Sequence, residues 1–61
     1  MTTRTINRSL MKNHITASLA KENGRYIVID YRRVGIHATH IRNLQAGDLV
    51  WWINRIQSII R

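Results

Sequence analysis

The side chains that most often carry chemistry in proteins are sparse in this chain, which has three histidines, three acidic residues and no cysteine. His37 and His40 are three positions apart, so on a strand their imidazoles would point to opposite faces. No cysteine or nearby carboxylate completes a set of metal ligands. The acids are dispersed, and neither a carboxylate pair nor a Ser-His-Asp arrangement can be drawn. We therefore expect no metal, no cofactor and no catalytic activity.

Positive charge is the most distinctive chemical property of the chain. Ten Lys and Arg residues against three acids give its 61 residues a formal net charge of +7. This density of cations favours a polyanionic partner, either nucleic acid or an acidic protein. Without cysteines, a signal peptide or an apolar run of about 20 residues, the sequence predicts a soluble cytoplasmic protein with no membrane partner. So short a chain buries only about 60% of its unfolded surface, so a monomer or weak homodimer is expected.

The clearest structural signal lies at the C-terminus. Apolar residues recur there three and four positions apart, at Leu49, Trp52, Ile53, Ile56, Ile59 and Ile60. This spacing predicts an amphipathic helix that starts between Leu44 and Asp48, and Asp48 is suited to cap its first turn. Trp52 belongs to the apolar face. Trp51 and Arg55 project to the other side. There Trp51 either lies over a sheet edge or the N-terminal segment, or anchors a protein partner or a second subunit.

Three strands are predicted between residues 14 and 42. Residues 14–21 alternate apolar and polar side chains, residues 25–33 are rich in β-branched and aromatic residues, and residues 36–42 follow a second glycine turn. The sequence therefore predicts an α+β fold, in which a three-stranded antiparallel β-meander packs on one C-terminal α-helix. Residues 14–61 would form this domain, and residues 1–13 a flexible or partly ordered basic N-terminal arm, with a fraying tail over residues 1 to 7.

The register of the first hairpin decides which side chains face the helix. A two-residue turn at Asn23 and Gly24 would bring Asp30 among the core residues, which is costly for a carboxylate. A three-residue loop with Gly24 as a G1 bulge instead turns Ile27 and Ile29 to the core. We therefore expect the three-residue loop.

An equivalent loop at residues 33–35 would complete the meander and sort its side chains onto two faces. The face toward the helix would carry Ile15, Ala17, Leu19, Ile27, Ile29, Tyr31, Thr39 and Ile41. The open face would mix aromatic, β-branched and cationic side chains, among them Thr16, Ser18, Tyr26, Val28, Arg32, Ile36, His40 and Arg42. Such a face is suited to bind a polyanion, although the carboxylate of Asp30 at its centre would repel the phosphates of DNA.

On double-stranded DNA this open face would read bases. Arg32 and Arg42 could each donate two hydrogen bonds to a guanine, with Tyr26, His40 and Thr16 beside them. Phosphates would be met by cations at the rims and in the arm, namely Lys21, Arg25, Arg33, Arg4, Arg8 and Lys12. For each arginine the alternative is a solvated charge that discourages strand-to-strand aggregation.

Two other partners are compatible with the same residues. A protein-binding modulator or inhibitor would dock with Trp51 and Arg55 on an acidic surface of a larger enzyme such as RNA polymerase. RNA would use Tyr26 as a stacking platform.

Two short motifs resemble a known family. Residues 24–28 (Gly-Arg-Tyr-Ile-Val) and 52–56 (Trp-Ile-Asn-Arg-Ile) are similar to motifs of the bacterial cell-division modulator CedA. The spacing of the motifs differs by one residue, and residues 45–47 (Gln-Ala-Gly) stand where that family tends to have a proline. The order of elements also resembles the arm-binding domains of tyrosine recombinases and the plant ethylene-response domains. These resemblances imply double-stranded DNA binding through the sheet and, for the CedA type, contact with RNA polymerase. A DNA-binding protein of this kind would be associated with the nucleoid.

Overall fold

The structure, a computed structural model, describes all 61 residues. Along the chain lie α1 (Thr3–Lys12), β1 (Ala17–Glu22), β2 (Arg25–Asp30), β3 (Gly35–Ala38) and α2 (Leu49–Ile60), with a short 3-10 helix (Leu44–Ala46) before α2. The strands form one antiparallel sheet in the order β1-β2-β3. The predicted α+β meander with a C-terminal helix is thus confirmed, and α1 adds a second helix.

The N-terminal segment is a helix packed on the sheet, where a fraying tail was expected. Thr2 caps α1, because its Oγ1 accepts a backbone hydrogen bond at 3.3 Å. Ile6 and Leu10 are four positions apart and both are fully buried, so α1 has an apolar face of its own. This face contacts β1 and α2, and α1 therefore shares one core with the rest of the chain.

Helix α2 forms where the spacing of apolar residues predicts it. Asp48 Oδ1 accepts a hydrogen bond from the Trp51 N–H at 2.8 Å, which confirms the predicted cap. Trp52 and Ile56 are fully buried. The Trp52 Nε1–H donates to the carbonyl of Leu44 at 2.9 Å and so fixes the 3-10 helix against α2. Neither α1 nor α2 has the length and apolar composition that crossing a bilayer requires.

The first hairpin closes through a two-residue turn, so the expected three-residue loop is wrong. Asn23 and Gly24 have φ angles of 52° and 79°, and two consecutive positive angles are the mark of a type I′ turn. Leu19 therefore pairs with Val28. Because side chains alternate along a strand, this shift of one residue exchanges the two faces of β2.

The exchange decides which residues form the core. Tyr26 and Val28 point toward the helices, while Ile27 and Ile29 point away, so the predicted assignment of these four residues is wrong. The buried apolar side chains are Ile6, Leu10, Ala17, Leu19, Tyr26, Val28, Trp52 and Ile56. The Tyr26 ring meets the Trp52 indole edge-on, with centroids 5.8 Å apart, so β2 and α2 are joined by an aromatic pair.

The observed register buries the carboxylate of Asp30, with 2% of the residue exposed. The predicted register would have kept this carboxylate out of the core. Asp30 is the last residue of β2, and its Oδ1 accepts a hydrogen bond from the Arg32 N–H at 3.0 Å. It also lines a cavity together with Arg33 and Arg61. The backbone donor therefore compensates part of the loss of water around the charge.

The second hairpin also differs from the prediction, because a four-residue turn, Tyr31–Val34, joins β2 to β3. Ile29 pairs with Ile36 and Ile27 with Ala38. The outer strand is thus shifted by three residues relative to the expected pairing.

Strand β3 ends at Ala38, earlier than predicted. Thr39 N–H donates to the carbonyl of Tyr26 at 3.1 Å, and Tyr26 N–H donates to the carbonyl of Ile41 at 2.9 Å. In a regular ladder one residue would make both bonds, so His40 and Ile41 are two extra residues, and we call this irregular step the bulge. The bulge directs the chain away from the sheet toward the 3-10 helix.

Candidate nucleic-acid interface

The sheet surface that faces away from the helices is apolar, and we call it the outer face. Its central positions are occupied by Ser18 and Ala20 of β1, Ile27 and Ile29 of β2, and Ile36 and Ala38 of β3. Ile36 is 67% exposed, whereas Ile27 and Ile29 are half-buried by their neighbours. No cation lies among these positions, so the predicted cationic open face is wrong.

The two arginines predicted to read bases do not lie on the strands. Arg32 is in the turn between β2 and β3, and Arg42 is in the segment that links β3 to the 3-10 helix. Both are exposed, as is His40 in the bulge. The structure therefore does not form the expected pair of guanine-reading arginines across the sheet.

Three further predicted contacts lie at the other end of β2. Tyr26 is 6% exposed and cannot stack on a base. Lys21 Nζ is 5.6 Å from the centroid of the Tyr26 ring, so the lysine covers a core aromatic. Arg25 is exposed beside the first turn and lines a shallow depression with Ile27 and Ala38. This end of the sheet does not bring the predicted residues together as a site.

The cations that the structure does bring together line a series of three adjacent depressions, which we treat as one surface. Asn7 and Met11 line both the first and the second depression, and Ile15 and Thr16 line both the second and the third. This surface starts on α1, passes the junction of α1 and β1, and ends at the C-terminus of α2. We call it the basic groove; its polar lining includes Arg4, Arg8, His14, Thr16, Ser18, Tyr31, Arg32, Arg33 and Arg61.

Helix α1 supplies the cations at one end of the basic groove. Arg4, Arg8 and Lys12 are all exposed and four positions apart, so they share one side of the helix. With a rise of 1.5 Å per residue, successive cations are about 6 Å apart along the helix axis. Arg4 and Arg8 line the groove, and Lys12 follows one turn later.

Asn7 holds this helix in place. Its Nδ2–H donates to the carbonyl of Leu19 at 3.0 Å, and its Oδ1 accepts from the Leu19 N–H at 2.7 Å. The side-chain amide thus makes the pair of hydrogen bonds that a neighbouring strand would make with β1. Arg4 and Arg8 are therefore presented from a helix with a fixed orientation.

Tyr31 lines the middle of the groove and was missed by the sequence analysis, which placed it in the core. It is 61% exposed, and its Oη lies 2.9 Å from Ser18 Oγ across the β1–β2 pair. The Asn-Gly dipeptide at residues 23–24 was the signal that could have revealed it. The type I′ turn that this dipeptide favours sets the register that turns Tyr31 outward.

The other end of the groove surrounds a cavity of about 390 Å³. Three arginines and a histidine from three parts of the chain line it, namely His14, Arg32, Arg33 and Arg61. Asp30 is the one carboxylate in this lining, and it accepts the Arg32 N–H. Asp48, far along the chain, likewise accepts a backbone N–H. Two of the three acids are thus engaged by the backbone, and the cations at this end are available to an external anion.

Trp51 is packed within the protein. Its indole meets that of Trp52 at 5.0 Å between centroids and an interplanar angle of 88°. It also lies against Gly47, where a Cβ would have no room. Trp51 remains 38% exposed, and Arg55 one turn later is exposed. Trp51 thus packs on Trp52 and Gly47. Its predicted position over a sheet edge or the N-terminal segment, and its anchoring role with Arg55, stay predictions.

No group of three His, Cys, Asp or Glu side chains is placed to hold a metal ion, so the chemistry of the groove is that of its cations and hydroxyl groups. The predicted residues Arg8, Thr16, Arg32 and Arg33 meet there, while Lys12 lies beside it. Comparison with known protein families, curated proteins and solved structures finds no match to this chain. The resemblance to the CedA family therefore stays a prediction.

Proposed function

We propose that this protein binds double-stranded DNA through the basic groove and has no catalytic role. The observation that carries the proposal is that five arginines from distant parts of the chain line depressions that are linked by shared lining residues: Arg4, Arg8, Arg32, Arg33 and Arg61. A guanidinium group donates paired hydrogen bonds to phosphate oxygens and keeps its charge at any physiological pH. A row of such groups follows a phosphate backbone better than scattered cations do.

The contacts would be mainly with phosphates. Arg4 and Arg8 would lie along one strand, and the arginines around the cavity would hold phosphates further along the duplex. The hydroxyl of Tyr31 would donate a hydrogen bond to the backbone between them. Phosphate contacts position a protein without reading sequence, so the preference for particular bases would be weak. Such an accessory regulator would be found on the nucleoid.

The salt dependence of binding to a random-sequence duplex measures the number of phosphates contacted. Each neutralised phosphate contributes about −0.9 to the slope of log K against log salt concentration. Five arginines in contact therefore predict a slope of about −4 to −5, measured by anisotropy of a labelled duplex. A duplex affinity that stays weak even at low salt would overturn the proposal.

Two double variants distinguish binding through the basic groove from binding that depends only on net charge. Arg32→Gln with Arg33→Gln removes two groove cations and is expected to reduce the slope by about 2 and weaken binding at low salt. Arg25→Gln with Arg55→Gln removes the same charge outside the groove, and its slope should change by about 1 at most. Equal losses in the two pairs would mean that binding follows total charge, and the groove would have no special role.

A second candidate function is docking on an acidic protein, with RNA polymerase among the predicted partners. The apolar outer face favours it, because phosphate binding has no use for exposed isoleucines. A pull-down from nuclease-treated lysate distinguishes the two candidates. Recovery of one acidic protein without nucleic acid, and its loss in Trp51→Ala, would favour the second.

A further inference from the structure

Strand β3 has an open edge. It is the outermost strand of the sheet on the side away from β1. Thr39 N–H donates to the carbonyl of Tyr26, and hydrogen-bonding direction alternates along an antiparallel ladder. The N–H and C=O groups of Ile36 and Ala38 therefore point away from β2. Four backbone groups on this edge are left for a partner.

Strand β3 is short, with four residues, but the side chains that usually protect a free edge are absent from it. Between Val34 and Thr39 the sequence has no lysine, arginine or proline, the residues that discourage strand addition. The bulge at His40 comes only after the strand has ended. Ile36 and Val34 are 67% and 92% exposed, so apolar surface lies beside the free backbone groups.

The charges around this edge indicate what would cover it. No carboxylate lies on β3, while Arg25 lines a depression with Ala38, and Arg42 follows the strand. Glu22 is the one acid in that depression. A second copy of the chain would bring another charge of +7 to the contact, which opposes self-association. An acidic segment with alternating apolar residues is complementary both to the cations and to Ile36.

We propose that β3 accepts an extended acidic segment of a partner protein as a fourth strand. The segment would exchange backbone hydrogen bonds with Ile36 and Ala38, and its apolar side chains would extend the outer face beside Ile36. Its carboxylates would meet Arg25 and Arg42. This site lies outside the basic groove, so it does not depend on the DNA proposal, and each can fail without the other.

The probe is a short blocked peptide that alternates valine with glutamate. In the full-length protein, its addition is expected to slow amide hydrogen exchange of Ile36 and Ala38 by at least about tenfold. Exchange at His37, whose N–H already faces β2, should change much less. Two control peptides, one with the same residues in two blocks and one with lysine in place of glutamate, should bind at least about tenfold more weakly.

Two variants test the edge itself. Ala38→Pro removes an outward N–H without removing a bond of the β2–β3 ladder, and it should abolish peptide binding. Ile36→Asp keeps the backbone but places a negative charge beside the acidic peptide, and it should weaken binding by at least about tenfold. Val50→Asp is the matched control, because Val50 on α2 has the same 67% exposure as Ile36. It should bind the peptide as the parent does.

Three results would overturn the proposal. The first is unchanged exchange at Ile36 and Ala38 at millimolar peptide in a folded protein. The second is equal binding of the lysine peptide, which would remove the argument from charge. The third is protection of the same amides that grows with protein concentration in the absence of peptide, which would make a second copy the occupant.

Discussion

The two edge strands of the sheet differ in whether their outward-facing backbone groups are hydrogen-bonded within the protein. At β1, the side chain of Asn7 satisfies both backbone groups of Leu19, and α1 covers the strand. At β3, the backbone groups of Ile36 and Ala38 face outward. The N-terminal segment therefore acts as the closing element of one edge, while the other edge remains able to bind. Three pairs of substitutions test how strongly the protein depends on this difference.

The largest effect is expected from a substitution that weakens the packing of α1 on β1, the covered edge. Leu10 of α1 is fully buried, whereas Ile36 of β3 is mostly exposed. Leu10→Ala should lower the free energy of unfolding by about 3 kcal/mol, because it leaves a cavity between α1 and the sheet. Ile36→Ala should lower it by about 0.5 kcal/mol or less. Urea denaturation monitored by circular dichroism measures both, and similar losses would remove the energetic distinction between the edges.

A smaller effect is expected when the hydrogen bonds of the closed edge are removed. Asn7→Ala leaves the part-buried N–H and C=O of Leu19 without their partners, which costs about 2 kcal/mol. Amide exchange at Leu19 should become fast, as it should already be at Ile36. Asn54→Ala is the control, since Asn54 is exposed on α2 and should tolerate the change. A slow Leu19 amide in Asn7→Ala would mean that α1 protects the edge by packing alone.

The smallest effect concerns the turns that lead to each edge. The β1–β2 turn places Asn23 and Gly24 at positive φ, which both residues tolerate, but the β2–β3 turn places the β-branched Val34 at φ 50°. Val34→Gly should raise the free energy of unfolding by about 0.5 to 1 kcal/mol by relieving this strain. Gly24→Ala should lower it by about 1 kcal/mol. A destabilised Val34→Gly would show that the exposed valine makes contacts that matter more than its backbone angle.

The parts of the fold that local signals determine were predictable. Helix α2, with its cap at Asp48 and the buried Trp52, follows from spacing and capping within a few turns. Strand β1 follows from the alternation of apolar and polar side chains, and β2 from its β-branched and aromatic residues beside a glycine turn. Helix α1 offers only Ile6 and Leu10 as a periodic apolar pair, so its burial depends on a sheet edge that the sequence does not display.

The sequence contains a local signal for the observed register, which is the type I′ preference of Asn23 and Gly24. The predicted register instead rests on the expected free-energy cost of burying the Asp30 carboxylate. In the folded protein the Arg32 N–H donates to that carboxylate and offsets part of this cost. Since one residue of shift inverts a strand, this single choice also misplaced Tyr26 and Tyr31.

The basic groove could not be read from the sequence for a related reason. Arg4, Arg32 and Arg61 come from the first helix, a turn and the chain end, and only the packing of α1 and α2 on one side of the sheet brings them to a common surface. Composition predicted a polyanion partner for the chain as a whole. Which arginines act together depended on tertiary structure.

The perpendicular indoles of Trp51 and Trp52 have an optical consequence. Two such chromophores 5.0 Å apart at 88° couple their electronic transitions and should give a paired positive and negative band in the ultraviolet circular dichroism spectrum. Both rings belong to α2, and one is tied to Leu44. This paired band is therefore expected to report on the packing of Trp51 against Trp52 at the start of the last helix.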